Sequence, residues 1–384
     1  MDKHQFLTKR VLNKKIKMSK KTVLISGASI AGLTMAYWMN RNNYDVTVVE
    51  LSAAPRMGGT PIDVRGDALD TAQRMGIIDA LKAARLPTMG MEFLNPKGEI
   101  EATMMADEIS IRPGEDIEIR RDDLVKIIYA LIPENVEFKF SNQIVSVSQN
   151  EECVSVTFKD ETKCNYDFLI GADGLHSGVR RLVFGPEEKF TNFLNFYFTI
   201  MQVDEKFGKL NTGQVYNVPN KMGTVYFYNR GFADALLAFK SSEKINYDFR
   251  DTEAQKKIVL EAFKDEEWKI PAILERIKDA DNFYFDQGCQ IKMPKWTNGR
   301  VALIGDAGYA PAFPTGMGIT LAMQGATTLA DAMADNSDYK TAFEKYNENF
   351  RPTVDSLQAT VHQGISFLIP ESQEAIDARN KALK

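Results

Sequence analysis

Histidine, cysteine and tryptophan each occur only three times in 384 residues, and that scarcity narrows the chemistry at once. Cys153, Cys164 and Cys289 are odd in number and form neither a CxxC pair nor a metal-ligand spacing. A disulfide framework and a metal centre are therefore not expected, and reduced thiols in a cytoplasmic protein are. With only His4, His176 and His362, a hydrolase built on a histidine base has little support. Basic charge is scarce outside one segment. Residues 1–21 hold eight Lys/Arg and one Asp, whereas the remaining 39 Lys/Arg face 51 Asp/Glu, a net charge of −12. So acidic a body disfavours nucleic acid and anionic membrane as partners. A long apolar run is missing too. The uncharged residues 22–39 imitate a signal segment or a short membrane span, but Ser26, Gly27, Ser29 and Gly32 interrupt them and a strand-like "DVTVVE" follows. The leader, residues 1–20, is expected to be a disordered basic tail that is dispensable for folding.

What is present reads as an α/β chain. The length favours two domains, or one large domain carrying an insertion. "TVLIS" suits a parallel strand buried on both faces; a small-residue loop follows, then a helical stretch with Ile30, Leu33, Thr34, Tyr37 and Trp38 near one face, then "YDVTVVE" as a second strand. That is one βαβ unit. The pattern of strand and glycine loop returns in "YDFLIGADG" and again in "GRVALIGDAG", the latter followed by a Pro/Gly loop and the helical "TLAMQGATTLADAMAD". Three such units could meet around one ligand. Between about residues 181 and 281 the texture changes to aromatic-rich strand candidates without glycine loops, which predicts a separate inserted sheet.

The first loop has the spacing of a dinucleotide fingerprint, with Gly27 and Gly32 at the outer positions and Ser29 where the middle glycine belongs. Serine is small and its hydroxyl can reach a phosphate, so the substitution weakens the motif without contradicting it. Glu50, at the end of the second strand, is placed to accept from ribose hydroxyls. The second loop carries Asp173 and Gly174; the third carries Asp306 at a strand end and Gly316 and Gly318 ahead of a helix, a setting suited to an anionic or hydroxyl-bearing ligand. Singly, each has a plain structural alternative as a turn. Arg121 could equally pair with Asp122, Asp123 or Glu118, Arg56 and Asp63 could form a loop ion pair, and the aromatics from Phe193 to Tyr228 read as core.

Taken in order, the fingerprint at 27–32, the Asp-Gly motif at 173–174 and the "GDA" motif at 305–307 resemble the single-component FAD-dependent monooxygenases of the aromatic-hydroxylase type. The likeness covers residues 20 to 365. Within that family "PRMGGTPIDVRG" and "IRRDDLVKII" look most like the tetracycline-inactivating monooxygenases. The resemblance implies a doubly wound Rossmann-like FAD-binding domain made of residues 21–82, 108–180 and 282–332. A mixed or antiparallel substrate sheet from 83–107 and 181–281 would be inserted in it, with a C-terminal helical segment at 333–384. It implies that Gly27, Gly32 and Glu50 hold the ADP half of FAD, with Ser29 and Ala31 among the cofactor contacts. Arg121 would contact the flavin's linker, Asp306 the ribityl or pyrophosphate oxygens, and Asp63 would lie beside the flavin. Arg56 would stand near the path of a transient NADPH or NADH, and Asp173 would serve both nucleotides. Gly316 and Gly318 would pass the isoalloxazine edge, with Phe313 and Pro314 walling the substrate space. No catalytic side chain and no metal is implied, because a flavin C4a-hydroperoxide carries the oxygen transfer to an electron-rich aromatic, enolic or polyketide-like substrate. A monomer without membrane or nucleic-acid partner is expected.

Three departures from the family pattern stand out: Leu51 follows Glu50 where many relatives have Arg, Tyr309 replaces a usual His, and Phe313 with Pro314 replaces a more regular proline arrangement. A flavin halogenase or oxidase, or a non-catalytic FAD-fold binding protein, are the alternatives. The halogenase segment W-x-W-x-I-P is missing, since Trp296 in "PKWTNG" stands alone.

Overall fold

In the computed structural model, which describes residues 20–384 apart from 56–59, 229, 249 and 281, a six-stranded sheet lies at one end of the molecule. Its order is Thr297–Asn298, Val301–Leu303, Phe168–Gly171, Thr22–Ser26, Asp45–Val49, Glu137–Lys139, and every pairing but the first is parallel. Strands about 130 to 150 residues apart in the chain are thus neighbours, and their C-terminal ends open on one side. Parallel strands need crossover connections, and these bury the sheet on both faces. Val23, Leu24, Ile25, Leu169, Ile170, Ala302 and Leu303 are accordingly sealed from solvent. The helix Ile30–Arg41 is buried from Ile30 through Met39, on all sides and not along one stripe. The helix Gly318–Asp335 packs on it, and Trp38 Nε1 donates to Thr327 Oγ1 at 2.9 Å.

The aromatic-rich stretch forms most of a seven-stranded sheet, in the order Tyr284–Ile291, Thr191–Val203, Ala233–Lys240, Lys221–Phe227, Thr212–Val218, Gly90–Leu94, Ile100–Met105. Its pairings are antiparallel except Thr212–Val218 with Gly90–Leu94, so the sheet is mixed. Tyr197 stacks on Phe285 and Phe239, and with Phe263, Ile270 and Ile277 of the covering helices these rings form a second core. They are core residues. Tyr284–Ile291, grouped on sequence with the nucleotide-binding segment, is instead the edge strand of this sheet. "YFDQGCQI" reads as one strand, and nothing local in it says which sheet it joins. The C-terminal segment comprises three helices, Tyr339–Ala359, Val361–Leu368 and Gln373–Ala382.

A two-stranded antiparallel ribbon, Pro61–Val64 with Ile117–Arg120, spans from one sheet to the other. Arg120 is buried and reaches Asp234 of the seven-stranded sheet at 2.5 Å and Asp122 at 3.2 Å, with its guanidinium over the Phe232 ring. Burial pushes the Asp234 carboxyl up, outweighing the pull of Arg120, while Arg120 is held above its ordinary value by both carboxylates despite its own burial. Desolvation thus rivals attraction in forming this pair. Asp234→Ala, which takes one of two carboxylates from a buried guanidinium, is expected to lower unfolding free energy by about 3 kcal/mol. Combining Arg120→Met with Asp234→Leu should recover most of that loss, and chemical denaturation of the native chain and the two variants checks both.

Candidate functional site

Three chain reversals meet at the open end of the parallel sheet. At the first, Gly27 has φ +105°, and a Cβ there would stand 2.4 Å from the Ala172 carbonyl oxygen. A Cβ on Gly32 would fall 1.9 Å from the Gly27 carbonyl oxygen, so both outer glycines are required by close backbone approach. Ser29 occupies the N-cap position of the helix Ile30–Arg41 but makes no capping bond. Its Oγ accepts from Arg121 Nη2 at 2.7 Å. The hydroxyl that replaces the middle glycine is therefore used to tie the loop to Arg121. Glu50 accepts from Ala28 N at 2.8 Å and Ser52 N at 2.9 Å; a carboxylate has lone pairs left for further donors.

At the second reversal Asp173 turns inward. It accepts from Ser177 Oγ at 2.5 Å and Val179 N at 3.0 Å, which fixes the start of the helix Gly178–Val183. Burial raises its carboxyl pKa, against those hydrogen bonds. Arg180, fully buried, bridges to the third reversal, donating to Leu175 O at 2.5 Å, Ala307 O at 2.9 Å and Glu187 at 3.1 Å. There Gly305 has φ +60°, and a Cβ on it would meet Ala31 Cβ at 2.9 Å. Asp306, next in the chain, is solvent-exposed yet desolvated by surrounding protein, which raises its carboxyl pKa against the pull of Arg121 and Arg180. Exposure and crowding together describe the floor of a cleft.

The cleft continues toward the helix Gly318–Asp335, whose first turn has no side-chain cap, so its amide groups and positive dipole end are free for an anion or carbonyl. Gly316 is left-handed with φ +65°, and a Cβ on it would lie 3.7 Å from Arg65 Nη1. A Cβ on Gly318 would meet no protein atom within 4 Å, so protein packing does not explain that glycine. Asp63 pairs with Arg65. Burial raises the Asp63 carboxyl, with Arg65 opposing. Phe313 packs against Phe196 and Phe198, with ring centroids 5.4 and 4.9 Å away, while Pro314 lies against Gly364 of the C-terminal helices. Tyr309 points away from the cleft: it is buried, bonds Tyr346 Oη at 3.1 Å and packs on Trp296.

Of the residues expected from sequence, Gly27, Ser29, Ala31, Gly32, Glu50, Arg121, Asp173 and Asp306 come together around the three strand ends. Asp63, Gly316, Gly318 and Phe313 extend the cleft toward the seven-stranded sheet, and Arg56 lies outside the described residues. Arg65, Glu118, Arg120 and Arg180 carry weight in the structure that their motifs do not announce. The alternation in "IEIRR" is the available signal for two of them, since it puts Glu118 and Arg120 on one strand face. Among the described residues no cluster of metal-ligating side chains occurs.

The sequence profile described as FAD binding domain matches residues 20–357. An uncharacterised protein of Mycobacterium tuberculosis is 38% identical over 365 residues, covering 93% of this chain and 97% of its own. A flavin-dependent monooxygenase of Legionella longbeachae is 34% identical over 366 residues, covering 94% of each. The crystal structure of the tetracycline destructase Tet(55) superposes with a TM-score of 0.84 at 34% identity, covering 95% of both chains.

His176 closes one wall of this arrangement, its ring nitrogens 2.9 Å from Glu187 and 3.0 Å from Asp286. The bonds to Asp286 and then Glu187 raise its pKa from 6.5 to about 10, overriding burial. An imidazolium held this way stabilises the fold fully below the unfolded pKa near 6.5, and that contribution is lost as pH rises through about 10. The gap in unfolding free energy between the native chain and His176→Gln should be widest below pH 6.5 and close toward pH 10. Denaturant titrations across that range check it; a pH-independent gap would refute the charged state.

Proposed function

Because the chain belongs to the FAD binding domain family and is an FAD-dependent monooxygenase, we propose that it draws electrons from NADPH and oxidises tetracycline-like polyketides in the cytoplasm. The observation that carries the reading is the convergence of the Gly27–Gly32, Asp173 and Gly305–Asp306 turns on adjacent strands, continuous with the uncapped helix start at Gly318. The residues present fit FAD. The space at Gly318 is not filled by protein, Glu50 and Asp306 offer carboxylate acceptors to sugar and ribityl hydroxyls, and Arg121 offers a cation to the linker. When bound, the flavin supplies electron transfer and oxygen activation. The chain's own task is to hold it, to orient the substrate and to keep water out.

Those tasks divide by residue. Close backbone approach at Gly27 and Gly32 lets the amides of the helix Ile30–Arg41 face a pyrophosphate. Arg121, fixed by Ser29, neutralises charge there. Phe313 with Phe196 and Phe198 makes a dry aromatic wall between the cleft and the seven-stranded sheet, suited to a planar, hydroxyl-rich ring system. The likeness to Tet(55), at 34% identity over 95% of both chains, favours tetracyclines among such molecules. Among the described residues no helix is long and apolar enough to cross a membrane.

The purified protein is expected to be yellow and to release FAD on denaturation. Asp306→Ala should weaken FAD binding about 10–100-fold, as loss of a charged hydrogen bond to a ligand does, while leaving the melting temperature of the FAD-free protein nearly unchanged. Tetracycline should accelerate NADPH and O2 consumption and gain one oxygen atom by mass. Phe313→Ala should raise peroxide released per NADPH with FAD still bound. If tetracycline does neither while another polyphenol does both, the enzyme class stands and the substrate assignment falls.

A further inference from the structure

Antiparallel pairing of the ribbon sets Asp63 directly opposite Glu118. Opposed residues share a face, with Cβ atoms about 4.5–5.5 Å apart, and like charges in that position destabilise a sheet. Two positions along the same strand face, Arg120 reaches Asp234, so this face is turned toward the seven-stranded sheet. Glu118 accepts from Thr88 and from Tyr228 Oη at 3.0 Å, and Tyr226 stands beside it, packed over the bare Gly213 backbone. The contrast between the two strand positions is informative. Arg120 has two carboxylates, whereas Glu118 has only neutral hydroxyls for partners and makes no ion pair among the described residues. Arg65 is engaged by Asp63, and Asp116 adds a further negative charge nearby. Asp63 and Glu118 are each partly exposed yet crowded by protein, as at the cleft floor.

Two opposed carboxyls, one of them paired with an arginine, keep a proton over a broad range, because ionising both leaves uncompensated charge. Burial first and then Asp63 raise Glu118; burial raises Asp63, with Arg65 opposing. Tyr226 and Tyr228 are both pushed up and stay neutral donors. A strut between the ribbon and Thr88 and Tyr228 would need only an acceptor, which glutamine supplies without charge. The scaffold alone does not call for an acid at this position.

We propose that Glu118 is a specificity-determining residue of the monooxygenase site: of the two facing acids, Asp63 carries the charge that Arg65 balances and Glu118 carries a proton, so together they present one acceptor and one donor to an enolised β-dicarbonyl substrate. The substrate's carbonyl accepts from the protonated carboxyl, and its enol hydroxyl donates to the carboxylate. A methyl ether of the same enol has no hydroxyl to donate and sets its oxygen against the carboxylate, so it loses the second bond and binds more weakly. This rests on the reading that substrate occupies the space between the ribbon and the seven-stranded sheet.

The test uses the FAD-loaded enzyme and Glu118→Gln. Infrared spectroscopy of protein with labelled glutamate carboxyls should show the carbonyl stretch of a protonated side chain between about pH 5 and 8, absent from the variant. With tetracycline as probe, the variant should raise KM at least tenfold with a smaller change in kcat, while FAD affinity stays within twofold. If the native enzyme does not turn tetracycline over, a simple enolised β-diketone and its methyl ether replace it, with binding read from the flavin absorbance. Preference for the enol in the native enzyme, lost in the variant, then upholds the pair while the tetracycline reading fails. Absence of the protonated band in the native protein overturns the proposal, as does equal binding of enol and ether by both proteins. Should Glu118→Gln fail to fold, the native infrared band and the enol-to-ether ratio still decide.

Discussion

Arg120 and Arg121 are consecutive, and their side chains leave the backbone in opposite directions where the strand Ile117–Arg120 becomes the helix Arg121–Tyr129. The first is buried against Asp234 of the seven-stranded sheet, and the second bonds Ser29 in the nucleotide loop. Removing a guanidinium from water costs several kcal/mol, so the geometry around Arg120 has little freedom to drift. That rigidity is passed across one peptide bond to Arg121. The two sheets can hold a cofactor and a substrate in register only if the distance between their facing surfaces is fixed, and this junction fixes it. The His176 clasp acts the same way at the other wall, joining the Asp-Gly loop to the edge strand Tyr284–Ile291 through Asp286.

Much of the backbone around the three strand-end turns is legible in the sequence, because the constraints there are backbone constraints. Gly27, Gly32 and Gly305 are needed where carbonyls and Cβ atoms come within 3 Å, and glycine in such a loop is visible without knowing its neighbours. Burial of the parallel strands on both faces likewise leaves continuous apolar runs. What is not legible is which side chain meets which across long separations. Ser29 reads as a phosphate donor, yet its hydroxyl is an acceptor for a residue 92 positions away. Tyr309 reads as a replacement for a usual His, and its ring fills the space that Gly325 leaves empty. Asp173 reads as a nucleotide contact, and its carboxylate is engaged by its own loop.

The edge strand Tyr284–Ile291 shows a different limit. Strand identity follows from its composition, but sheet membership follows from pairing, and pairing with Thr191–Val203 is set by tertiary contacts that no local pattern records. A bulge between Phe193 and Tyr197 and the bare backbone at Gly288 let Phe196 lie across that pairing, a Cβ on Gly288 falling 2.0 Å from its ring. The same ring then supports Phe313, so the aromatic wall of the cleft depends on a glycine that carries no chemistry.

Charge follows the same division of labour. Toward the strand ends Arg121 and Arg180 both act on Asp306, so opposite charges meet there, although burial still raises the carboxyl. Toward the seven-stranded sheet like charges face each other, Asp63 opposite Glu118, with Arg65 paired to Asp63. A cleft with Arg121 toward one end and a facing acid pair toward the other treats its two occupants differently. The cofactor end attracts phosphate, whereas the sheet end repels anions and rewards a neutral molecule that can both donate and accept. That asymmetry orients a substrate before any reaction begins, with its hydroxyl-bearing edge toward the ribbon and its apolar face on Phe313. Orientation is the contribution a protein must make when a cofactor carries the chemistry.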